Sequence, residues 1–226
     1  MMRKRESRLV ININDLAGDQ FGALRLRLMQ RPMEALPAFD QALRETVQNI
    51  SPTYDRELDH DMHVGIDGSL GAHMLNPRLL TARFLGSLVC VEGIITKCSL
   101  VRPKVVKSVH FCESTGAFHK REYRDSTTPG AFMPTSTVYP TKDNEGNALV
   151  TEYGLCEYQD HQTATVQEMP EKAPAGLLPR SIDIVLDGDL VDRVKPGDRV
   201  SIYGTFRALP SKAAGSTSGI FKYVEL

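Results

Sequence analysis

The stretch Leu88–Cys112, LVCVEGIITKCSLVRPKVVKSVHFC, decides the fold. Val89 and Val91 alternate with Cys90 and Glu92, the period-two pattern of a half-buried strand. Gly93 interrupts the run, as glycine does where a strand bulges or another backbone passes close. Leu100 to Pro103 reads as a connection, because Pro103 cannot donate to a ladder and pushes Arg102 towards extended backbone. The alternation then resumes to Cys112, with Val105, Val109 and Phe111 on one face and Lys104, Ser108 and His110 on the other. Lys107 breaks the apolar face. The expectation is a β-hairpin around which Lys97, Arg102, Lys104 and Lys107 gather, the first hairpin of a small barrel that contacts phosphates.

Towards the N-terminus the pattern changes. Arg8 to Asn14 alternates as a short strand, with Asn14 or Asp15 placed to cap the helical run after it. From Leu16 to Ile50 apolar residues recur at helical spacing, among them Leu24, Leu28, Met33, Phe39, Leu43 and Val47. Pro32 and Pro37 divide this run into at least two helices. Tyr54 to Asp61 is polar and acidic. Gly65, Gly68 and Gly71 lack the Lys-Ser/Thr pair and the strand-to-helix setting of a phosphate loop. Asn76-Pro77 opens a helix to Leu85 that Gly86 ends.

Towards the C-terminus, residues 112–160 read as irregular, rich in Thr, Pro and Gly, and as an insertion that needs its own staple. Gln162–Glu168, Arg180–Leu186, Arg199–Leu209 and Ile220–Leu226 read as strands. Lys195-Pro196-Gly197-Asp198 is a tight turn. Leu209 and Ile220 bracket a long hairpin whose polar loop, 210–219, carries Lys212. Helices followed by short strands around an insertion predict an α+β chain, a helical subdomain packed on a small barrel.

Composition narrows the function. Net charge is −1, so any nucleic acid is held by a local patch and not by the overall field. Trp is absent, which disfavours a surface built on many stacked bases. Four Cys in 226 residues do not make a disulfide framework, and no apolar run is long enough to span a bilayer. No apolar stretch comes after the basic start MMRKRESRLV, so no secretory signal is read there and an intracellular protein is expected.

Five ordered blocks then coincide: Val91–Lys97, Val101–Lys104, Gln167–Glu171, Leu178–Leu186, and Asp189–Asp192 with Lys195–Val200. In this order and spacing they resemble the N-terminal region of the MCM (minichromosome maintenance) replicative helicase subunits, across nearly the whole chain. Ala173–Arg180 and Tyr139–Asp143 are most similar to the third subunit of the eukaryotic heterohexamer. The resemblance implies a helical A-subdomain (1–86) on a Greek-key OB-fold barrel (87–226), interrupted by a zinc-finger-like insertion (112–160), with a β-hairpin (207–224) projecting into the channel of a hexameric ring. It implies DNA contact by Lys97, Arg102, Lys104, Lys107, Arg180, Arg207 and Lys212, the last only once the ring is assembled. It further implies other MCM subunits, single- and double-stranded DNA and origin-loading proteins as partners, double hexamers, and residence in the nucleus, with no membrane.

The family's zinc insertion carries two CxxC pairs, which make a tetrahedral thiolate site. Here Cys112-Glu113-Ser114-Thr115 has lost the second Cys, and Tyr139-Pro140-Thr141-Lys142 stands where the other pair belongs. A substitute set drawn from Cys112, His119 and Cys156, with His110 and His161 nearby in sequence, is the alternative; zinc is not expected. The sequence carries no GxxxxGK[ST], so ATP and Mg belong to an ATPase domain of the parent protein and no catalysis is expected here. His60, His63 and His73 near Asp59, Asp61 and Asp67 lack the spacing of a metallohydrolase. The rival to a DNA-positioning role is a module that assembles rings through protein contacts alone.

Overall fold

The computed structural model describes residues 7–18, 20–50, 62–124, 135, 138–143, 145–209 and 221–225, with residue 209 and the last strand described by backbone alone. In chain order the strands are β1 (Arg8–Asn12), β2 (His63–Asp67), β3 (Met74–Leu75), β4 (Leu88–Cys98), β5 (Arg102–Cys112), β6 (Phe118–Glu122), β7 (Leu149–Thr151), β8 (Glu157–Gln167), β9 (Ser181–Asp187), β10 (Arg199–Leu209) and β11 (Phe221–Glu225). Two helices, α1 (Gly22–Gln30) and α2 (Pro32–Ile50), fall between β1 and β2. Among the described residues no helix is long and apolar enough to cross a membrane.

Five strands close on themselves. β4 pairs with β10, β10 with β11, β11 in parallel with β9, β9 with β8, and β8 again with β4. This is the five-stranded Greek-key barrel of the OB-fold. Closure turns on Gly93 and Ile94, where β4 leaves β10 and takes up β8. A Cβ on Gly93 would stand 2.3 Å from Val166 Cγ1 and 2.6 Å from the Gln167 carbonyl oxygen, so the close backbone approach expected there is real. Val89, Val91, Ile95, Ala164, Val166, Ile184, Ile202 and Phe206 fill the barrel.

β4 and β5 form where the alternation places them, but they do not pair with each other as a hairpin. Both run antiparallel to β8: Ile94–Cys98 lie against its C-terminal half and Arg102–Lys107 against its N-terminal half. They are one long strand broken at 99–101. Alternation reveals which face of a strand is buried, but carries no information about its partner.

The two faces also differ from the expectation. Leu88 and Cys90, on the outer side of β4, are buried by Ile13, Leu70, Met29 and Ile66 of the helical region, so this end of the strand is covered on both sides. In β5, Ser108, His110 and Cys112 are completely buried, with Val109 buried beside them, so the polar positions after the bulge turn inward, whereas Arg102 before it is exposed. This bulge, at Val105–Lys107, and a hydrogen-bonded polar cluster around His110 replace the simple apolar pattern. Beyond β8's reach β5 carries β6 and β7 on its two edges, so part of 112–160 is an ordered three-stranded extension.

The helical region is tied down from both sides. β1 and β2 pair in parallel, and Leu43, Val47, Met62 and Val64 bury the inner face of α2. Asn12, not Asn14 or Asp15, caps the turn after β1 by accepting from the Asn14 N–H. Pro32 opens α2 as expected, but Pro37 lies inside it, its ring exposed, because the buried face on either side carries the helix through. The helix expected at Pro77–Leu85 is absent. Asn76–Leu79 forms a turn and Ala82–Phe84 a single 3-10 turn. Leu75, Leu80 and Phe84 all pack into the barrel core while Arg78 is fixed to Glu168 and Leu178, a set of anchors that one straight helix face does not meet.

Candidate nucleic-acid interface

Every second residue of β8 points outward, and its neighbours lie in register with it. Lys97 of β4, Thr165 of β8 and Asp183 of β9 form one row across the barrel wall. Arg102 of β5, His161 and Asp187 form another, beyond Thr163. Lys104 lies opposite Gln159 and Lys107 opposite Glu157. The four cations therefore do converge on one outward face, through their shared partner β8 and not through a hairpin.

Their carboxylate surroundings separate them. Lys107 Nζ sits 2.7 Å from Glu157 Oε1, and that hydrogen bond, with the charge behind it, pushes the lysine's pKa up. Lys104 Nζ is 3.8 Å from Asp187 Oδ2, whose other oxygen meets His161 Nδ1 at 2.6 Å. Lys97 and Arg102 are exposed, and among the described residues neither forms an ion pair. Beside Lys97 opens a polar hollow of about 230 Å³ walled by Ser99, Thr163, Thr165 and Asp183. Thr165 Oγ1 donates to Asp183 Oδ1 at 2.8 Å, which partly occupies that carboxylate. An anionic backbone crossing here meets two cations that form no ion pair among the described residues, with hydroxyl and imidazole groups between them and the Asp183 and Asp187 carboxylates one strand further on, both of which are hydrogen-bonded.

The remaining site residues do not join this track. Arg180 is exposed just before β9, where its backbone exchanges hydrogen bonds with Glu168. Arg207 lies on the arm of β10 beyond its pairing with β4, opposite Tyr223. Lys212 lies outside the described residues. His161, Thr163 and Thr165 are the members that the sequence reading missed. Their alternation with buried Gln162, Ala164 and Val166 was the signal available.

The candidate metal ligands are apart. Cys112 Sγ is buried and bonded to Ser114 Oγ at 3.0 Å, Cys156 Sγ donates to the Glu152 carbonyl at 3.3 Å, and His119 Nε2 faces Asp143 at 3.4 Å. Among the described residues no three His, Cys, Asp or Glu side chains are grouped to hold a metal ion. The histidines near the N-terminal region likewise have separate duties: His63 Nδ1 lies 3.4 Å from Asp40, and His73 Nδ1 contacts the Leu88 carbonyl at 2.7 Å while its ring meets Phe84 edge-on. His60, Asp59 and Asp61 lie outside the described residues.

A helical region joined to a closed five-stranded barrel is the architecture the resemblance implied. Family models bear this out: residues 1–68 match the MCM N-terminal domain and residues 74–210 the MCM OB domain, so the chain belongs to the MCM family. Within it the chain is similar to third-subunit licensing factors along its whole length. It is 55% identical over 224 residues to zygotic DNA replication licensing factor mcm3 of Xenopus laevis, covering 99% of this chain and 27% of that protein. It is 53% identical to DNA replication licensing factor MCM3 of Gallus gallus, with 99% and 27% covered, and 50% identical to DNA replication licensing factor MCM3 homolog 1 of Zea mays, with 99% and 29% covered. The chain thus spans little more than a quarter of the length of the curated relatives it matches.

Proposed function

We propose that this chain is the DNA-positioning and ring-assembly region of a replicative helicase subunit, acting in replication licensing, origin unwinding and elongation. The observation that carries the reading is the outward face of β8, where Lys97 and Arg102 stand exposed without a carboxylate partner among the described residues, beside a polar hollow. Such a face contacts phosphates of either strand form and reads no sequence. Arg180 adds a contact from the loop before β9, Arg207 from the arm of β10, and Lys212, in the segment that the resemblance implies is a projecting hairpin (207–224), once several copies surround one DNA. The helical A-subdomain (1–86) and barrel (87–226) supply lateral contacts to neighbouring MCM subunits. The insertion (112–160) is the counterpart of the family's zinc finger, without zinc. ATP and Mg act in the ATPase domain of the parent protein. Origin-loading proteins as partners and a nuclear location fit the licensing role of the relatives.

Fluorescence anisotropy with labelled single-stranded and duplex DNA tests the reading. The expected result is weak binding to both at low salt, indifferent to sequence, that falls steeply as salt rises. Absence of binding at low salt assigns the region to protein contacts alone.

A further inference from the structure

The resemblance places the family's two thiolate pairs at Cys112–Thr115 and Tyr139–Lys142, where this chain keeps one cysteine. Beside those positions the structure holds a different cluster. His110 is completely buried on β5, and both of its ring nitrogens are engaged: Nε2 lies 2.6 Å from Ser108 Oγ and Nδ1 lies 3.0 Å from Thr151 Oγ1 of β7. Ser108 Oγ is in turn 3.1 Å from the hydroxyl of Tyr123, the residue after β6. With Ser108 donating to Tyr123, one assignment of protons completes the other two contacts. Thr151 donates to Nδ1, the Nε2 proton goes to Ser108, and Ser108 donates to Tyr123. In that arrangement the neutral ring has no lone pair left for a metal.

Aromatic edges close the cluster. Tyr139 meets the His110 ring at 5.9 Å and the Tyr123 ring at 5.8 Å, both edge to face. Tyr139 is also the first residue of the block that stands where the family's second cysteine pair belongs. The one remaining cysteine at a family ligand position, Cys112, turns its thiol to Ser114 instead.

We propose that Ser108, His110, Tyr123, Tyr139 and Thr151 form a metal-free staple that replaces the family's zinc and holds β5, β6, β7 and the 138–143 segment together. Four separate pieces of chain meet in this cluster, as four ligands meet on a metal. The difference lies in the energetics. A thiolate site binds cooperatively and is lost all at once to a chelator, whereas the staple is a sum of hydrogen bonds and ring contacts that weakens one member at a time. This inference rests on reading 112–160 as the counterpart of the zinc insertion, and its test needs neither DNA nor neighbouring subunits. Failure here therefore leaves the DNA track untouched, and loss of DNA binding leaves the staple untouched.

Hydrogen exchange on the full chain, read by mass spectrometry, tests it. Treatment with a strong zinc chelator is expected to leave protection of β5, β6 and β7 unchanged. Thr151→Val, which removes one hydroxyl and keeps the volume, is expected to raise exchange in those strands roughly five- to tenfold while β9 and β10 stay as they are, the size of one buried hydrogen bond. Thr151→Ser is expected to restore it, and His110→Phe to raise exchange further than Thr151→Val. Chelator-dependent opening with release of a zinc ion overturns the proposal. So does unchanged protection of the insertion in both Thr151→Val and His110→Phe.

Discussion

Glu168 is 1% exposed, and Arg78 holds it with Nε 3.1 Å and 3.3 Å from its two carboxylate oxygens. The same guanidinium donates to the Leu178 carbonyl, so one ion pair fixes both the turn after β3 and the connection into β9. Removing the cation strands a buried charge, and we expect Arg78→Met to destabilise the fold by about 3–5 kcal/mol in urea unfolding. Tyr203 ties the helical region to the barrel, its hydroxyl donating to the Gly68 carbonyl at 3.0 Å. Burial, with the Cys90 thiol and Asp67 carboxylate nearby, pushes its pKa up to about 12. A pKa raised by folding contributes stability that is complete below the unfolded value near 10 and is lost as pH rises through the folded one. Tyr203→Phe should therefore cost about 1 kcal/mol at neutral pH. The gap to the parent chain should close between about pH 10 and 12, and a gap that stays constant through that range would contradict the assigned role of the hydroxyl. Asp189 works in the opposite direction. Burial raises its pKa, but the two hydrogen bonds and charge of Arg8 outweigh that and hold it below the usual carboxylate value. Its contribution is present above about pH 4 and is lost only as pH falls through the lowered value, so it plays no part near neutrality.

Among the elements, β4 shows what local sequence conveys. Its alternation, its glycine and its length were legible, as were β8, β9, β10 and the Lys195–Asp198 turn, in which the Asp198 N–H bonds to the Lys195 carbonyl and Gly197 takes φ +98°. Strand partners were not legible, because the pattern that buries one face is the same whether the neighbour is β5 or β8. Nor was the inward turn of Ser108 and His110, whose polarity argues for solvent until Thr151 and Tyr123, distant in sequence, supply their hydrogen bonds. The supposed helix at 77–85 failed for a similar reason: a good cap and proline were overruled by anchors in other elements. Gly93 is the point where β4 changes partner, and its missing side chain leaves room for Val166 and the Gln167 backbone. Gly93→Ala should force the wall of the barrel apart and cost about 1–3 kcal/mol, read as a lower urea midpoint. An unchanged midpoint would mean that β8 can shift aside freely.

At the scale of the whole molecule, the net charge of −1 conceals an uneven surface. Along β8 the cations are graded. Lys107 and Lys104 are engaged by Glu157 and Asp187, while Lys97 and Arg102 face outward without a carboxylate partner among the described residues. Most of the monomer's DNA affinity should therefore reside in these two side chains. The direct measurement is the dependence of binding on salt, for the parent chain and for a Lys97→Gln/Arg102→Gln variant, by anisotropy on one labelled single strand and one duplex. Each phosphate contact contributes about 0.7 to the logarithmic slope on single strands and about 0.9 on duplex. The variant should bind more weakly on every sequence, with a slope shallower by about 1.4 on the single strand and about 1.8 on the duplex. A variant whose affinity and slope equal those of the parent chain would contradict the assignment of this face to nucleic acid.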